Sequence, residues 1–141
     1  MEESFSTEEL LYMMKKLSLN MTAQLELNLK NKSITGVQVY FLVYILRHHP
    51  KGTYLTELCR EIGVSKPTLS ALIKKMREKG YLDLHEDPDD VRKKKVLPTE
   101  KLLAEGDRFI EKAGQLETEI CSALNGQEKE QLLNLEEKLL M

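Results

Sequence analysis

Between Leu55 and Lys79 an apolar residue recurs every three or four positions, and the pattern breaks once, at Gly63. Leu55, Leu58, Cys59 and Ile62 form one short helical stripe, and Leu69, Leu72, Ile73 and Met76 form a second. Gly63 is free to take the positive φ of a turn, Ser65 can cap the following helix, and Pro67 is tolerated in its first turn. Cys59 is small enough to let the second helix cross close to the first, with Val64 and Leu69 expected to fill the angle between them. Gly80 is placed to close the second helix in a left-handed conformation. This is the anatomy of a helix-turn-helix, and the rest of the chain must fold around it.

Beyond the second helix the pattern becomes strand-like. Tyr81 to His85 alternates with period two, and so, less cleanly, does Lys94 to Leu97, while Glu86 to Val91, containing Pro88, reads as a hairpin loop. A small two-stranded wing therefore sits beside the helix-turn-helix. Everything else reads as helix. Ser6 and Glu9 form a capping box, with Phe5 and Leu10 as its hydrophobic staple, and Leu10, Met14, Leu17, Met21 and Leu25 continue one stripe that ends at Asn31 and Lys32. A second box, Thr35 with Gln38, opens a helix apolar almost all round from Val39 to Leu46, which ends at Pro50 and Gly52. From Thr99, the residues Leu102, Gly106, Phe109, Ala113, Leu116, Ile120 and Ala123 follow a four-three alternation that makes a seam for another helix. Asn125-Gly126 breaks it before a terminal helix carrying Leu132, Leu135 and Leu139. The expected fold is all-α with a small β-wing, six helices in one domain over residues 1–141. Residues 35–98 form its central lobe, and 1–34 with 99–141 form a helical region whose apolar stripes exceed what one small domain can bury, so a homodimer is expected.

Charge is unevenly placed. The formal net charge is −2, yet residues 51–98 hold eleven basic and eight acidic side chains, whereas residues 99–141 hold five and ten. A basic middle on an otherwise acidic chain is the electrostatic footprint of a nucleic-acid binder. The face of the second helix opposite its apolar stripe carries Pro67, Ser70, Ala71, Lys74 and Glu78, flanked by Lys66, Thr68, Lys75 and Arg77. Short hydroxyl side chains at its start can reach base edges in a major groove about 12 Å wide, and the lysines can address guanine or phosphate. Beside it the wing carries Arg92-Lys93-Lys94-Lys95, four cations whose mutual repulsion a polyanion would relieve. The candidate DNA-binding residues are Ser65, Lys66, Thr68, Ser70, Lys74, Lys75, Arg92, Lys93 and Lys94, with Asp90 orienting Arg92 through a forked ion pair.

The stretch Leu58 to Ser70, then Lys79-Gly80-Tyr81-Leu82, Asp87-Pro88-Asp89-Asp90-Val91-Arg92 and Pro98-Thr99-Glu100-Lys101, resembles the winged helix-turn-helix core of the MarR family of bacterial transcriptional regulators. The similarity extends to the order of helices over the whole chain. It implies a dimer on a pseudo-palindromic double-stranded DNA site, with Arg92 in the minor groove and Thr68, Ser70 and Lys74 facing the major groove. It also implies repression relieved by a small, often aromatic or phenolic molecule in a crevice between dimer and DNA lobes; Tyr12, Tyr40 and Tyr44 could line such a pocket but read first as helix-packing aromatics, and no ligand residue is assigned. The chain departs from the family pattern in carrying Asp83 and His85 on the first wing strand and Pro98-Thr99 before the fifth helix.

Other functions find little support. His48 and His49 are adjacent and point about 100° apart on a helix, so they cannot share one metal ion. Cys59 and Cys121 lie far apart without a Cys-x-x-Cys and read as buried thiols. Neither a nucleophile with its base nor a phosphate-cradling glycine loop is present, so no enzyme and no cofactor are expected. No apolar run approaches a membrane span, and Met1-Glu2-Glu3 is acidic where a signal peptide is basic, so a cytoplasmic protein is expected. The alternative to DNA binding is a winged-helix module that binds another protein.

Overall fold

The computed structural model describes residues 5–31 and 33–141. Met1-Glu2-Glu3, the acidic start that argues against a signal peptide, and Lys32, expected at the end of the first helix, lie outside the described residues. Helix α1 (Thr7–Leu29) is capped by Ser6, whose hydroxyl accepts the Glu9 N–H at 3.1 Å, and it ends at Lys30 in the left-handed region, φ 55°. Helix α2 (Gly36–His48) opens with both halves of the Thr35–Gln38 capping box, at 3.2 and 3.1 Å. Val39, Leu42 and Ile45 of α2 are fully buried, which makes it the central helix of the core.

The chain then enters β1 (Thr53–Tyr54), α3 (Leu55–Ile62) and α4 (Lys66–Glu78). Gly63 joins the two helices at φ 80° and donates its N–H to the Cys59 carbonyl at 2.9 Å. Strands β2 (Leu82–Asp87) and β3 (Asp90–Pro98) form the wing hairpin, and β1 pairs with the far edge of β3 through Thr53↔Val96 and Tyr54↔Lys95. The sheet thus has three strands where the sequence pattern pointed to two. A two-residue strand is too short to show period-two alternation, and its partner lies some forty residues away, so only the fold creates it.

Helix α5 (Glu100–Cys121) follows Thr99, whose hydroxyl donates to the Gly80 carbonyl at 2.6 Å and accepts the Leu102 N–H, fixing the start of α5 against the end of α4. Its seam residues Leu102, Gly106, Phe109, Ala113 and Leu116 are buried within the same chain against α1 and α2. A side chain at Gly106 would meet Leu46 Cδ1 at 2.5 Å, so the glycine admits Leu46 from α2. Arg47 and Glu117 clamp the same two helices with paired bonds of 2.9 and 2.7 Å. Ala123, expected on the seam, lies beyond the helix end and is exposed, because α5 stops at Cys121.

Helix α6 (Gly126–Leu139) starts on a full capping box between Asn125 and Glu128. It buries none of its residues, and Leu132, Leu135 and Leu139 are exposed. The first half of α1 is similar: Leu10, Met14 and Leu17 are exposed, and only Leu25 and Leu29 enter the core. The surplus of apolar surface therefore lies on α1 and α6, not on α5. Cys59 is half-buried against the core and Cys121 is exposed. The expectation of two buried thiols is corrected for Cys121, since the last turn of α5 runs past the helices that cover its seam. Among the described residues no helix is long and apolar enough to cross a membrane.

Candidate nucleic-acid interface

Helix α4 is held from behind by Leu69, Ile73 and Met76, all buried, while Ser65, Lys66, Thr68, Ser70, Lys74, Lys75 and Arg77 are exposed. A helix about 10–12 Å across with its side chains matches the width of a major groove. The Ser65 hydroxyl accepts the Thr68 N–H at 3.4 Å and donates to Thr68 Oγ1 at 2.8 Å. Ser65 thus serves first as the helix cap, and its hydroxyl is already engaged. Thr68 and Ser70 stand at the N-terminal end of the helix, with Lys74 and Lys75 one to two turns further on. The other end of α4 is tethered: Lys79 Nζ donates to Gln38 Oε1 at 2.7 Å, and Lys101 Nζ donates to the Lys79 carbonyl at 2.8 Å.

The wing tip is shaped by its acids. Asp87 accepts the Asp89 N–H at 2.9 Å across the turn, and a register irregularity between Glu86 and Asp87 bends the strand. Asp90 Oδ1 accepts both the Arg92 backbone N–H at 3.0 Å and Arg92 Nε at 3.2 Å. These two bonds, the side-chain one first, hold the Asp90 carboxyl below the usual carboxylate range. The expected forked ion pair is not formed: a single Asp90 oxygen takes one guanidinium nitrogen and one backbone nitrogen of Arg92. The Arg92 side chain remains 89% exposed, with the outer nitrogens of its guanidinium available to a ligand. Strand alternation divides the cations behind it. Lys94 turns toward α4 and lines a cleft with Ser70, Lys74 and Arg77, whereas Lys93 Nζ lies 6.0 Å from the Tyr54 ring centre on the other face. Arg77 is absent from the sequence-based set because only the folded hairpin brings Lys94 beside it; its spacing of three from Lys74 was the one hint.

Behind the N-terminal end of α4 lies an apolar groove of about 320 Å³, walled by Val37, Tyr40, Phe41 and Tyr44 on one side and by Thr68 and Leu72 on the other. Val64, expected to fill the angle between α3 and α4, lies instead exposed on the rim of this groove. Leu58 and Leu69 are fully buried at that angle, with Cys59, Ile62 and Leu72 half-buried against the same core. The Tyr40 hydroxyl is buried and has no hydrogen-bond partner among the described residues. Burial, then the nearby Glu117 carboxylate, raise its pKa, against a smaller opposing effect of Arg47. The Tyr44 hydroxyl donates to Glu61 Oε2 at 2.8 Å, and His49 Nε2 lies 2.7 Å from the same oxygen. Hydrogen bonds from His49 and then Tyr44 hold Glu61 below the usual carboxylate range. Tyr12 lies apart from the groove, on the exposed part of α1. The His48 ring packs against Tyr44, ring centres 4.5 Å apart and planes tilted by 41°. The described residues hold no cluster of three or more His, Cys, Asp or Glu side chains suited to a metal ion.

A family model described as the MarR family matches residues 32–93, which span α2, the helix-turn-helix and most of the wing. The S. aureus MepR–DNA complex has the same fold, with TM-score 0.82 and 23% identity over 97% of this chain and 98% of that one. The PcaV transcriptional regulator from Streptomyces coelicolor, solved in complex with its natural ligand, matches with TM-score 0.80 and 14% identity over 99% and 95% of the two chains. A MarR protein from Peptoclostridium difficile matches with TM-score 0.82 and 25% identity, covering 99% and 90%. The family match falls on the helix-turn-helix and the wing, and the helices around them repeat the arrangement of these regulators from end to end. Residues 32–93 match the MarR family model, and the chain as a whole shares the winged helix-turn-helix fold of these regulators.

Proposed function

We propose that the protein is a cytoplasmic transcriptional repressor that binds a pseudo-palindromic double-stranded DNA site as a homodimer and leaves it when a small aromatic molecule binds. The observation that carries this reading is the outer face of α4, exposed along its whole length and supported by three buried side chains, with Arg92 free beside it. Thr68, Ser70, Lys74 and Lys75 address the major groove, Lys66 and Lys94 address phosphates, and Arg92, oriented by Asp90, enters the minor groove. Ser65 contributes by holding Thr68 in place. Lys93 adds positive charge from the reverse of the wing. Residues 35–98 act as the DNA-binding lobe. Residues 1–34 and 99–141 join two copies through the exposed leucines of α1 and α6, which sets the two α4 helices to read half-sites about 34–36 Å apart.

The MepR structure holds DNA and the PcaV structure holds a ligand, which supports both halves of the reading. The groove behind Thr68 suits the effector: it is almost wholly apolar, and the aromatic residues Tyr40, Phe41 and Tyr44 wall one side of it. A gel-shift series across the promoter region next to its own gene tests the proposal. Specific retardation at low salt is expected, falling by several decades in affinity toward physiological salt for on the order of ten phosphate contacts. A protein that retards no duplex at low salt is instead the protein-binding module.

A further inference from the structure

We infer that the cleft between α4 and the wing is a binding slot for one backbone phosphodiester, and that Arg77 is the residue that closes it. The inference rests on the DNA-binding reading and adds a site to it. The cleft, about 100 Å³, draws its walls from elements distant in sequence: Ser70, Lys74 and Arg77 from α4, and Lys94 from β3. Its floor is apolar, made in part by Leu55 and Leu84. Three cations and a hydroxyl thus surround a small concavity with a low-dielectric base. There a cation attracts an anion more strongly than on an open surface.

None of the three cations forms an ion pair among the described residues, although acids are near. Glu86 is the register partner of Lys94, and Glu78 and Asp83 border the adjoining cleft with Lys74 and Arg77. Glu86 shares the face of Lys94 on the hairpin, yet none of these acids lines the slot itself, so the charged groups on its walls are all cations. A phosphate has the oxygens to engage several such donors at once, and the planar guanidinium of Arg77 can hold two of them in parallel. Ser70 and Lys74, which face the major groove, meet this phosphate at the groove's edge, because a base edge offers no negative charge to balance three cations. A phosphate held here would lock the angle between the reading helix and the wing.

The test is the salt dependence of binding for wild type, Arg77→Ala, Arg77→Lys and, as an exposed control on α6, Lys129→Ala. The probes are a labelled duplex from the promoter region next to the gene and a scrambled duplex of equal length. Arg77→Ala is expected to weaken both duplexes by the same factor and to lower the slope of log K against log salt by about 1 per half-site. Arg77→Lys retains most of the slope, and Lys129→Ala changes nothing. An unchanged slope in Arg77→Ala, or a loss confined to the promoter duplex, overturns the slot while leaving DNA binding intact. A wild-type protein that binds neither duplex overturns both.

Discussion

Replacing Gly63 with alanine isolates what the turn between α3 and α4 demands of its backbone. The residue sits at φ 80°, and a Cβ built there meets no atom within 4 Å. Steric clash with neighbours is therefore absent, and the cost is the left-handed conformation itself, about 1–2 kcal/mol for an L-residue. A stiffer unfolded chain opposes it by about 0.4–1 kcal/mol, which leaves a net destabilisation of about 1 kcal/mol. Gly114 is the matched control. It lies inside α5 with helical φ, and the nearest atom to its added Cβ is Arg47 Nη2 at 4.0 Å. Alanine there gains about 0.8–1 kcal/mol of helix propensity. The same chemical change is thus expected to move stability in opposite directions, with the variants about 2 kcal/mol apart. Urea unfolding followed by circular dichroism at one fixed protomer concentration reads both. Gly63→Asn should fall between wild type and Gly63→Ala, because asparagine tolerates this region better. If Gly63→Ala matches or exceeds wild type, the backbone argument for the turn is refuted.

Arg92→Ala is expected to weaken DNA binding by about 1–3 kcal/mol, measured by fluorescence anisotropy, and Asp90→Asn to cost less, since it only loosens the guanidinium. Leu135→Glu puts a charge on the exposed apolar face of α6 and should raise the dimer dissociation constant at least tenfold, because a buried leucine contributes about 1.5–3 kcal/mol; sedimentation showing an unchanged dimer would count against that face. Tyr81 is buried, with Glu105 beside it, and its pKa is pushed up to about 12, burial being the larger cause. A raised folded-state pKa means that this contribution is complete below the ordinary tyrosine range and is lost as pH rises through about 12. Tyr81→Phe should therefore flatten the alkaline fall in stability above about pH 10 and remove the latest step of the tyrosine absorbance titration.

The helices were legible because their ends carry local chemistry. Ser6, Thr35, Ser65 and Thr99 cap where their positions indicated, and Gly63 turns the chain as its placement required. The outer face of α4 could likewise be read from helical spacing alone. The features that could not be read depend on contacts between distant residues. The strand at Thr53–Tyr54 exists only because β3 arrives beside it, and the cleft at Arg77 exists only because Lys94 does. The apolar period of α5 showed that another helix covers the seam, but period cannot say which one. Leu46 fills the place left by Gly106 from within the chain, and so the surfaces left for a partner are those of α1 and α6. Exposure of Cys121 follows from where α5 ends relative to its neighbours, which spacing does not reveal.

The anchoring of α4 at Lys79, by Gln38 on one side and Lys101 on the other, makes the recognition helix a lever with a fixed fulcrum. Thirteen residues at 1.5 Å each put its N-terminal end about 20 Å from that fulcrum. A tilt of about 3° then carries the tip about 1 Å sideways, enough to stretch a 2.9 Å hydrogen bond to a base beyond useful range while scarcely disturbing the pivot. On the proposed reading, a molecule wedged behind Thr68 would push on the long arm, where little force is needed and the displacement is greatest.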